Sequence, residues 1–231
     1  MNPIWWLEEV AYAGEEHLDE SYVAGYDAKA QVDPTEDIEM LVSLGLGESS
    51  VLVDLGAGTG VFSLAAAETG AAVVAVDVSR PMVDSIRRRA EEYGLDNITV
   101  VRAGFLSYDH ALPPADFVYT RNALHQLPDF WKVIALNRIA ALIKTGGHLV
   151  VRDLVFDLEP DDVEDGIEEW MSGAVDDPTR GFTAEELAEH VRKEFSTLTW
   201  IFEPMLERCG FEILERSSRR SAYGTYLCRK G

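Results

Sequence analysis

The fold is decided by the stretch VLVDLGAGTGVFSL, residues 51–64. Its opening residues, valine, leucine and valine, are typical of a buried parallel strand, which Asp54 ends. Glycines follow at positions 56, 58 and 60, and apolar residues at helical spacing begin at Val61. A glycine loop between a strand and a helix lets a ligand approach backbone N–H groups and a helix N-terminus, because no Cβ stands in the way. The stretch therefore predicts a ligand-binding loop, the alternative being an ordinary tight connection.

The glycine loop and the strand after it carry a family resemblance. The motif D54-L-G-A-G-T-G60 resembles the first motif of the class I S-adenosylmethionine (SAM) dependent methyltransferases. Asp77 ends the next strand, A71-A-V-V-A-V-D77, and resembles the acid that holds the ribose hydroxyls in that family. Asp77 and the glycines alone also fit a nicotinamide-binding Rossmann domain. The pattern G-x-G-x-G, in place of G-x-G-x-x-G, and the later motifs favour the methyltransferase family.

The resemblance implies a set of cofactor-binding residues. Asp54 and the glycine loop would hold the methionine end of SAM, Asp77 the ribose, and Met82 with Phe105 the adenine. The full implied set is Tyr26, Asp54, Gly56, Ala57, Gly58, Gly60, Asp77, Val78, Met82, Gly104, Phe105, Asn122 and Ala123.

One contact of the family is missing from the sequence. The family often has an aspartate after the third strand, bonded to the adenine amino group, whereas this chain has A103-G-F-L106 there. Adenine recognition is therefore expected from backbone groups near Gly104 and Phe105, or from a residue that the sequence does not identify.

The stretch DFVYTRNALHQL, residues 116–127, resembles the fourth motif of the family. Ligands of open α/β sheets bind at the carboxyl ends of the strands, so the backbone near Asn122 is expected beside the glycine loop. His125 follows, and a neutral imidazole near pH 7 is able to take a proton from a nucleophilic hydroxyl or amine. His125 is therefore the candidate catalytic base; the alternative is that it caps or packs against the helix beginning near Asp129.

The fifth strand is expected at residues 148–153, after a turn at 144–147, and it ends in Arg152 and Asp153. These two charged residues have either a substrate role or a structural ion pair, because buried charges are normally paired. No metal site is expected, since Asp153 and its neighbours form no recognisable acidic triad and the two cysteines have no metal-ligand spacing.

Composition narrows the partners and the compartment. The chain has 231 residues with 41 acids against 20 bases, a net charge of −21 that repels phosphate backbones and argues against nucleic acid. Acidic runs at 8–20 and 157–169 are solvated helix faces, an attraction for a cationic substrate, or a sign of a high-salt habitat. No apolar run approaches about 18 residues, so no membrane span is predicted. With Cys209 and Cys228 as its cysteines, a reduced cytoplasmic protein is expected.

The predicted architecture is an α/β fold: a doubly wound, mostly parallel, Rossmann-like sheet of about seven strands with an antiparallel edge hairpin. Residues 1–34, rich in aromatics, are expected to form an N-terminal helical lid, with Tyr22 and Tyr26 on one helix face. Residues 35–231 would form the methyltransferase domain, and within it 157–196 a helical insert that caps the substrate.

The predicted function is methyl transfer from SAM to a small-molecule nucleophile, as in the ubiquinone/menaquinone or type 11 members that the chain resembles. A SAM-binding enzyme of different chemistry, such as cyclisation of SAM, and a non-catalytic SAM-binding module are the alternatives, because binding motifs do not show where the methyl group goes. A nicotinamide dehydrogenase is disfavoured by the glycine spacing. The sequence predicts neither the acceptor nor the oligomeric state.

Overall fold

Within residues 3–14 and 16–231, which the computed structural model describes, eight strands form one sheet. The strands are β1 (Val51–Leu55), β2 (Ala72–Asp77), β3 (Ile98–Arg102), β4 (Ala115–Arg121), β5 (Ile143–Phe156), β6 (Thr197–Leu198), β7 (Phe211–Arg219) and β8 (Tyr223–Lys230). The helices are α1 (Glu20–Ala30), α2 (Thr35–Ser43), α3 (Val61–Glu68), α4 (Arg80–Tyr93), α5 (Asp129–Leu142), α6 (Val163–Met171), α7 (Ala184–Lys193) and α8 (Thr199–Arg208). Short 3-10 helices span Glu9–Tyr12, Glu16–Leu18, Leu124–Gln126 and Pro160–Asp162.

The strand order is β3-β2-β1-β4-β5-β8-β7, and the short β6 pairs with β5 outside this path. Strands β1 to β5 run parallel, whereas β8 pairs antiparallel with β5 and β7 with β8. The chain therefore winds outward in both directions from β1, and β1 and β4 are neighbours although two strands separate them in sequence. The predicted doubly wound sheet with an antiparallel edge hairpin is confirmed, and its switch point lies at the carboxyl ends of β1 and β4.

Both faces of the central strands are buried. Leu52 packs with α2 and α3 on one face, and the next residue, Val53, packs with α5 and α8 on the other. A strand buried on both faces reads as a continuous apolar run, which is why residues 51–53 signalled it. This packing fixes the carboxyl end of β1, from which the glycine loop projects.

The predicted turn at residues 144–147 is wrong, because these residues belong to the long strand β5. Ala115 pairs with Ile143 and Phe117 pairs with His148, so the register shifts within this part of the strand. Gly146 has a φ of +78°, which suits glycine and produces the irregularity. The glycines thus disturb the pairing with β4 without ending the strand.

The N-terminal segment and the insert lie on the site side of the sheet. Residues 3–14 and 16–34 of the predicted lid contain α1 and two 3-10 helices, while Met1, Asn2 and Glu15 lie outside the described residues. Tyr22 and Tyr26 share a face of α1, with ring centroids 6.1 Å apart. Residues 157–196 contain α6 and α7. In the part of the chain that the structure describes, no helix has the length and apolarity to cross a membrane.

Candidate active site

The glycine loop has the backbone conformation that its composition predicts. Gly56, Gly58 and Gly60 have φ values of +74°, +55° and +86°, where side chains other than glycine are strained. A Cβ on Gly56 would also lie 2.3 Å from the Cβ of Ala123, at the end of β4. The absence of a side chain at Gly56 therefore lets the β1 loop and the β4 loop meet at the switch point.

Asp77 joins the glycine loop to the start of α4. Its Oδ2 accepts the backbone N–H of Gly58 at 2.9 Å, and its Oδ1 accepts that of Ser79 at 2.8 Å. Burial raises the pKa of Asp77 to about 6, although both N–H groups favour the charged form. At neutral pH the residue is a carboxylate that lines the cavity and offers its remaining lone pairs there.

A narrow cavity lies above the carboxyl ends of β1, β2 and β4. Of the residues predicted to bind the cofactor, those that line it are Tyr26, Gly56, Gly58, Asp77, Val78, Met82, Gly104, Phe105, Asn122 and Ala123. Their convergence is what the motifs predicted. Their contacts with the cofactor stay predictions.

Asp54, Ala57 and Gly60 do not line this cavity. The carboxylate of Asp54 is buried behind the loop and accepts the Ser63 hydroxyl at 2.5 Å. Burial raises its pKa to about 7, and the Ser63 hydrogen bond opposes that rise. A Cβ on Gly60 would lie 2.9 Å from Ile86, so this glycine lets α3 and α4 approach closely. In this structure Asp54 and Gly60 support the loop from behind.

His125 lies in the 3-10 helix after β4 and is buried between two carboxylates. Its Nδ1 is 2.5 Å from Asp153 Oδ1, and its Nε2 is 3.3 Å from Glu194 Oε2. Burial by itself lowers the pKa of His125, but the charges and hydrogen bonds of Asp153 and Glu194 outweigh it and raise the pKa to about 10. Both ring nitrogens of His125 therefore face a carboxylate, Nδ1 that of Asp153 and Nε2 that of Glu194.

A second, roomier cavity of about 690 Å³ adjoins the first, and we call it the chamber. Its walls come from the N-terminal segment, from α6 and α7, and from the 3-10 helix that holds His125. Aromatic and acidic side chains dominate the lining, among them Tyr12, Tyr22, Trp170, Phe182, Phe195, Tyr223, Glu16, Glu186, Glu189 and Glu194.

Comparison with known proteins identifies the kind of domain that this chain contains. Residues 52–147 match a family profile described as a methyltransferase domain. An uncharacterized methyltransferase of Geobacillus sp. (strain WCH70) is 26% identical over 191 residues, which are 83% of this chain and 83% of the relative. The chain carries a methyltransferase domain of the class I SAM-dependent type. SAM is its cofactor, and the narrow cavity at the switch point is where the motif residues converge.

Solved structures of methyltransferases have the same fold as most of this chain. The geranyl diphosphate C-methyltransferase from Streptomyces coelicolor A3(2), in complex with Mg²⁺, geranyl diphosphate and S-adenosylhomocysteine (SAH), has a TM-score of 0.65 at 13% identity. The match covers 85% of this chain and 79% of that one. Magnesium protoporphyrin IX methyltransferase from Synechocystis PCC 6803, with bound SAM, has a TM-score of 0.60 at 15% identity and covers 100% of this chain and 87% of that one. The likeness therefore reaches beyond the matched residues 52–147.

Further side chains, which the motifs did not identify, also line the narrow cavity. They are Glu9, Tyr12, Ala13, His17, Ser79, Ala103, Arg121, Gln126 and Leu127. Glu9 is notable because its carboxylate accepts the backbone N–H of Leu106 at 3.0 Å and the Ser107 hydroxyl at 2.5 Å. It thus reaches the loop after β3, where the sequence lacks the acid that the family often has.

The adjacent charged residues Arg152 and Asp153 lie on opposite faces of β5. Arg152 Nε lies 2.6 Å from Asp37 Oδ1 of α2, whereas Asp153 bonds His125 on the chamber side. Adjacent strand residues point to opposite faces, so the two side chains belong to different sites. Arg152 has the structural ion pair that the sequence left open, and Asp153 positions His125.

Proposed function

We propose that this methyltransferase transfers the methyl group of SAM to a nucleophilic atom of a small molecule held in the chamber. The observation that carries the proposal is that the two cavities are adjacent and share part of their lining. Both are lined by Tyr12, His17, Tyr26, Asn122 and Gln126. A nucleophile in the chamber therefore has a direct route to a methyl group presented from the cofactor cavity.

The walls of the chamber favour a small acceptor over a polymer. The N-terminal segment (the predicted lid, 1–34) and the insert (157–196) contribute Tyr22 of α1, Trp170 of α6 and His190 of α7 to its lining. We assign these two segments as lid and substrate cap on that basis. The names of the two solved relatives point the same way, because magnesium protoporphyrin IX and geranyl diphosphate are small molecules.

The chemistry asks the protein chiefly for alignment. SAM supplies an activated methyl group, so the chain must orient donor and acceptor in line, exclude water and accept a proton where the acceptor carries one. His125 is the proposed base, and its geometry adds a condition. Glu194 lies 3.3 Å from Nε2, so His125 acts as a base only where the proton-bearing atom of the acceptor takes the place of Glu194 at this nitrogen.

Incubation with SAM, with and without candidate acceptors, tests this function. Hydroxyl, amine, thiol and carbanion-forming compounds are supplied in turn, and SAH formation is followed. We expect SAH to form only when a suitable acceptor is present, because a methyltransferase without an acceptor leaves SAM nearly unreacted. Breakdown of SAM without an acceptor would favour different chemistry such as cyclisation, and SAH binding without turnover across the series would favour a binding module.

Glu9 is expected to take the place of the missing adenine-contacting acid. Replacing Glu9 with alanine should weaken SAH binding about 10-fold or more, since a hydrogen bond to a charged group contributes roughly 1.5–3 kcal/mol. Titration calorimetry with SAH measures the loss. The matched control is Glu8→Ala, because Glu8 is the exposed neighbour of Glu9 in sequence and does not line the cavity.

The SAH analogue with hypoxanthine in place of adenine makes the Glu9 test specific. It carries a carbonyl where adenine has its amino group, so the wild type should bind it more weakly than SAH. Glu9→Gln offers an amide N–H to that carbonyl, so the affinities of this variant for SAH and for the analogue should differ less than those of the wild type. An unchanged preference for adenine in Glu9→Gln would show that Glu9 only packs against the loop.

The affinity for SAH is expected to depend on pH through Asp77. The ionised carboxylate accepts both ribose hydroxyls, whereas its protonated form has one acceptor oxygen fewer. Because the pKa of Asp77 is about 6, the affinity should be constant only well above pH 6, decline through pH 6 and fall below it by up to about 10-fold per pH unit. Calorimetry with SAH between pH 5 and pH 8 measures this pH dependence of the affinity, because the range extends about one unit below the pKa. In Asp77→Asn the fall should be absent, and a variant with an undiminished fall would assign the dependence to another group.

A further inference from the structure

Three side chains with metal-ligating atoms meet at one wall of the chamber. They are His125, His190 and Glu194, and one ligand atom from each lies within 4.8 Å of the other two. His125 is buried, while His190 and Glu194 have 20% and 13% of their side-chain surface exposed. All three line the chamber, so an ion between them would be reachable from it. Two imidazoles and a carboxylate with an open side match the donor set of open Zn²⁺ and Fe²⁺ sites.

Helix α7 sets two of these donors in position. His190 and Glu194 are four residues apart at the end of α7, so they lie on one helix face, and His190 Nδ1 contacts Glu194 Oε2. The other end of the helix is fixed by a capping box between Thr183 and Glu186. The His125 Nε2 to Glu194 Oε2 distance is 3.3 Å. That is near the edge of about 3.4 Å of a tetrahedron with metal–ligand bonds of about 2.1 Å.

The third donor is oriented as metal-binding histidines usually are. Asp153 accepts the Nδ1–H of His125, which leaves Nε2 pointing at Glu194. Asp153 is itself fixed, because its Oδ2 accepts the backbone N–H of Leu124 at 2.7 Å. Gln126 Nε2 donates to the second oxygen of Glu194 at 3.1 Å. A carboxylate behind a ligating imidazole and a hydrogen bond behind a ligating carboxylate are the outer contacts that metal sites require.

We propose that His125, His190 and Glu194 bind one divalent transition-metal ion of the Zn²⁺ type in the wall of the acceptor chamber. Asp153 and Gln126 would orient the ligands, and the remaining coordination position would face the chamber. The expectation of no metal site rested on the acids near Asp153 and on the cysteines. The donors of this cluster come instead from the 3-10 helix after β4 and from α7, which only the fold brings together.

The ion gives the site a role that differs from that of a histidine base. His125 Nε2 would accept a proton only in the metal-free protein, because the ion occupies the same atom, so the ion-bound protein would activate the acceptor through the ion and not through His125. A bound ion would attract an anionic oxygen of an acceptor and lower the pKa of that acceptor's hydroxyl. Metal binding itself does not depend on which acceptor the enzyme uses.

The test uses the untagged full chain, stripped of metal with a chelator and titrated with Zn²⁺ in the presence of excess Mg²⁺. Mass spectrometry of bound metal should give one Zn²⁺ per chain, and Co²⁺ in place of Zn²⁺ should show the visible absorption of a four-coordinate ion. Because even outer contacts of a metal site are worth about 10–100-fold in affinity, loss of a ligand in His190→Ala or Glu194→Ala should weaken binding at least about 100-fold. Glu189→Ala is the matched control, since Glu189 is on the same helix and also lines the chamber.

SAH binding, measured on the same samples, separates this proposal from the proposed function. Wild-type protein that binds SAH but no Zn²⁺ at stoichiometric concentration would overturn the metal site and leave methyl transfer standing. Equal loss of Zn²⁺ in Glu189→Ala and Glu194→Ala would also overturn it, because the ion would then lie on surface carboxylates. Circular dichroism of each variant shows that it is folded, and the wild-type stoichiometry decides the question if a variant is not.

Discussion

Replacing Asp77 with alanine is expected to weaken SAH binding at least about 100-fold. Two ribose hydroxyls bonded to a carboxylate contribute roughly 1.5–3 kcal/mol each. The Asp77 side chain also holds the glycine loop and the start of α4 in place, because it accepts hydrogen bonds from the backbone N–H groups of Gly58 and Ser79. Its loss therefore removes ligand contacts and loosens the loop that surrounds the ligand.

Titration calorimetry with SAH measures the effect, and NADH serves as the competing nucleotide. Asp84→Ala is the matched control: Asp84 is an exposed acid on α4 whose partners are the surface residues Arg80 and Arg87. The control should bind SAH as the wild type does. Full SAH affinity in Asp77→Ala would contradict the assignment of the ribose contact, and NADH binding in the wild type would reopen the dehydrogenase alternative.

Replacing Asp153 with alanine is expected to lower the free energy of unfolding by about 3–5 kcal/mol, because it breaks the buried ion pair at the Nδ1 of His125. For a chain of this size, such a loss lowers the melting temperature by about 10 °C. The cause is local and identifiable. Asp153 is 3% exposed, bonds the Nδ1 of His125, and accepts the N–H of Leu124.

Urea denaturation of Asp153→Ala and of a control, Asp157→Ala, measures this difference. Asp157 lies four residues further along the chain, just after β5, and pairs with Arg216, but both side chains are more than one-third exposed. An exposed pair contributes about 0–1 kcal/mol, so the control should unfold almost as the wild type does. Equal stability losses in the two variants would mean that the buried pair with His125 is not what Asp153 contributes.

The elements that the sequence predicted best are those set by local chemistry. The β1 strand, the glycine loop and the acid at the end of β2 follow from an apolar run, residues without a Cβ and a strand end, all read within a few residues. The turn at 144–147 was wrong because two glycines usually end a strand, whereas β5 continues through them and its pairing with β4 resumes at His148. The glycines interrupt the pairing, as the local signal indicates, but they do not end the strand.

The part of the site that the sequence did not predict comes from segments without motifs. Glu9 reaches the loop after β3 across a sequence separation of 97 residues, and Glu194 reaches Gln126 across 68. The sequence around Glu9 and around Glu194 does not distinguish these two acids from the many solvated acids of a chain with net charge −21. The four-residue spacing of His190 and Glu194 was the available signal, but it gains meaning only when the fold places His125 beside them.

The attachment of the N-terminal segment has a consequence for the pace of turnover. Trp6 and Leu7 of this segment pack against the core, whereas its residues 16–30 are held mainly through polar contacts: the Ser79 hydroxyl donates to the His17 carbonyl at 2.6 Å, and Arg89 pairs with Asp27 at 2.9 Å. In α1, Val23 is the side chain that is buried. A stretch held with so little apolar burial opens at low free-energy cost. Dissociation of SAH then requires this opening. The residence time of SAH is therefore expected to depend on the strength of these few contacts, and the steady-state rate to depend on them more than on the rate of methyl transfer.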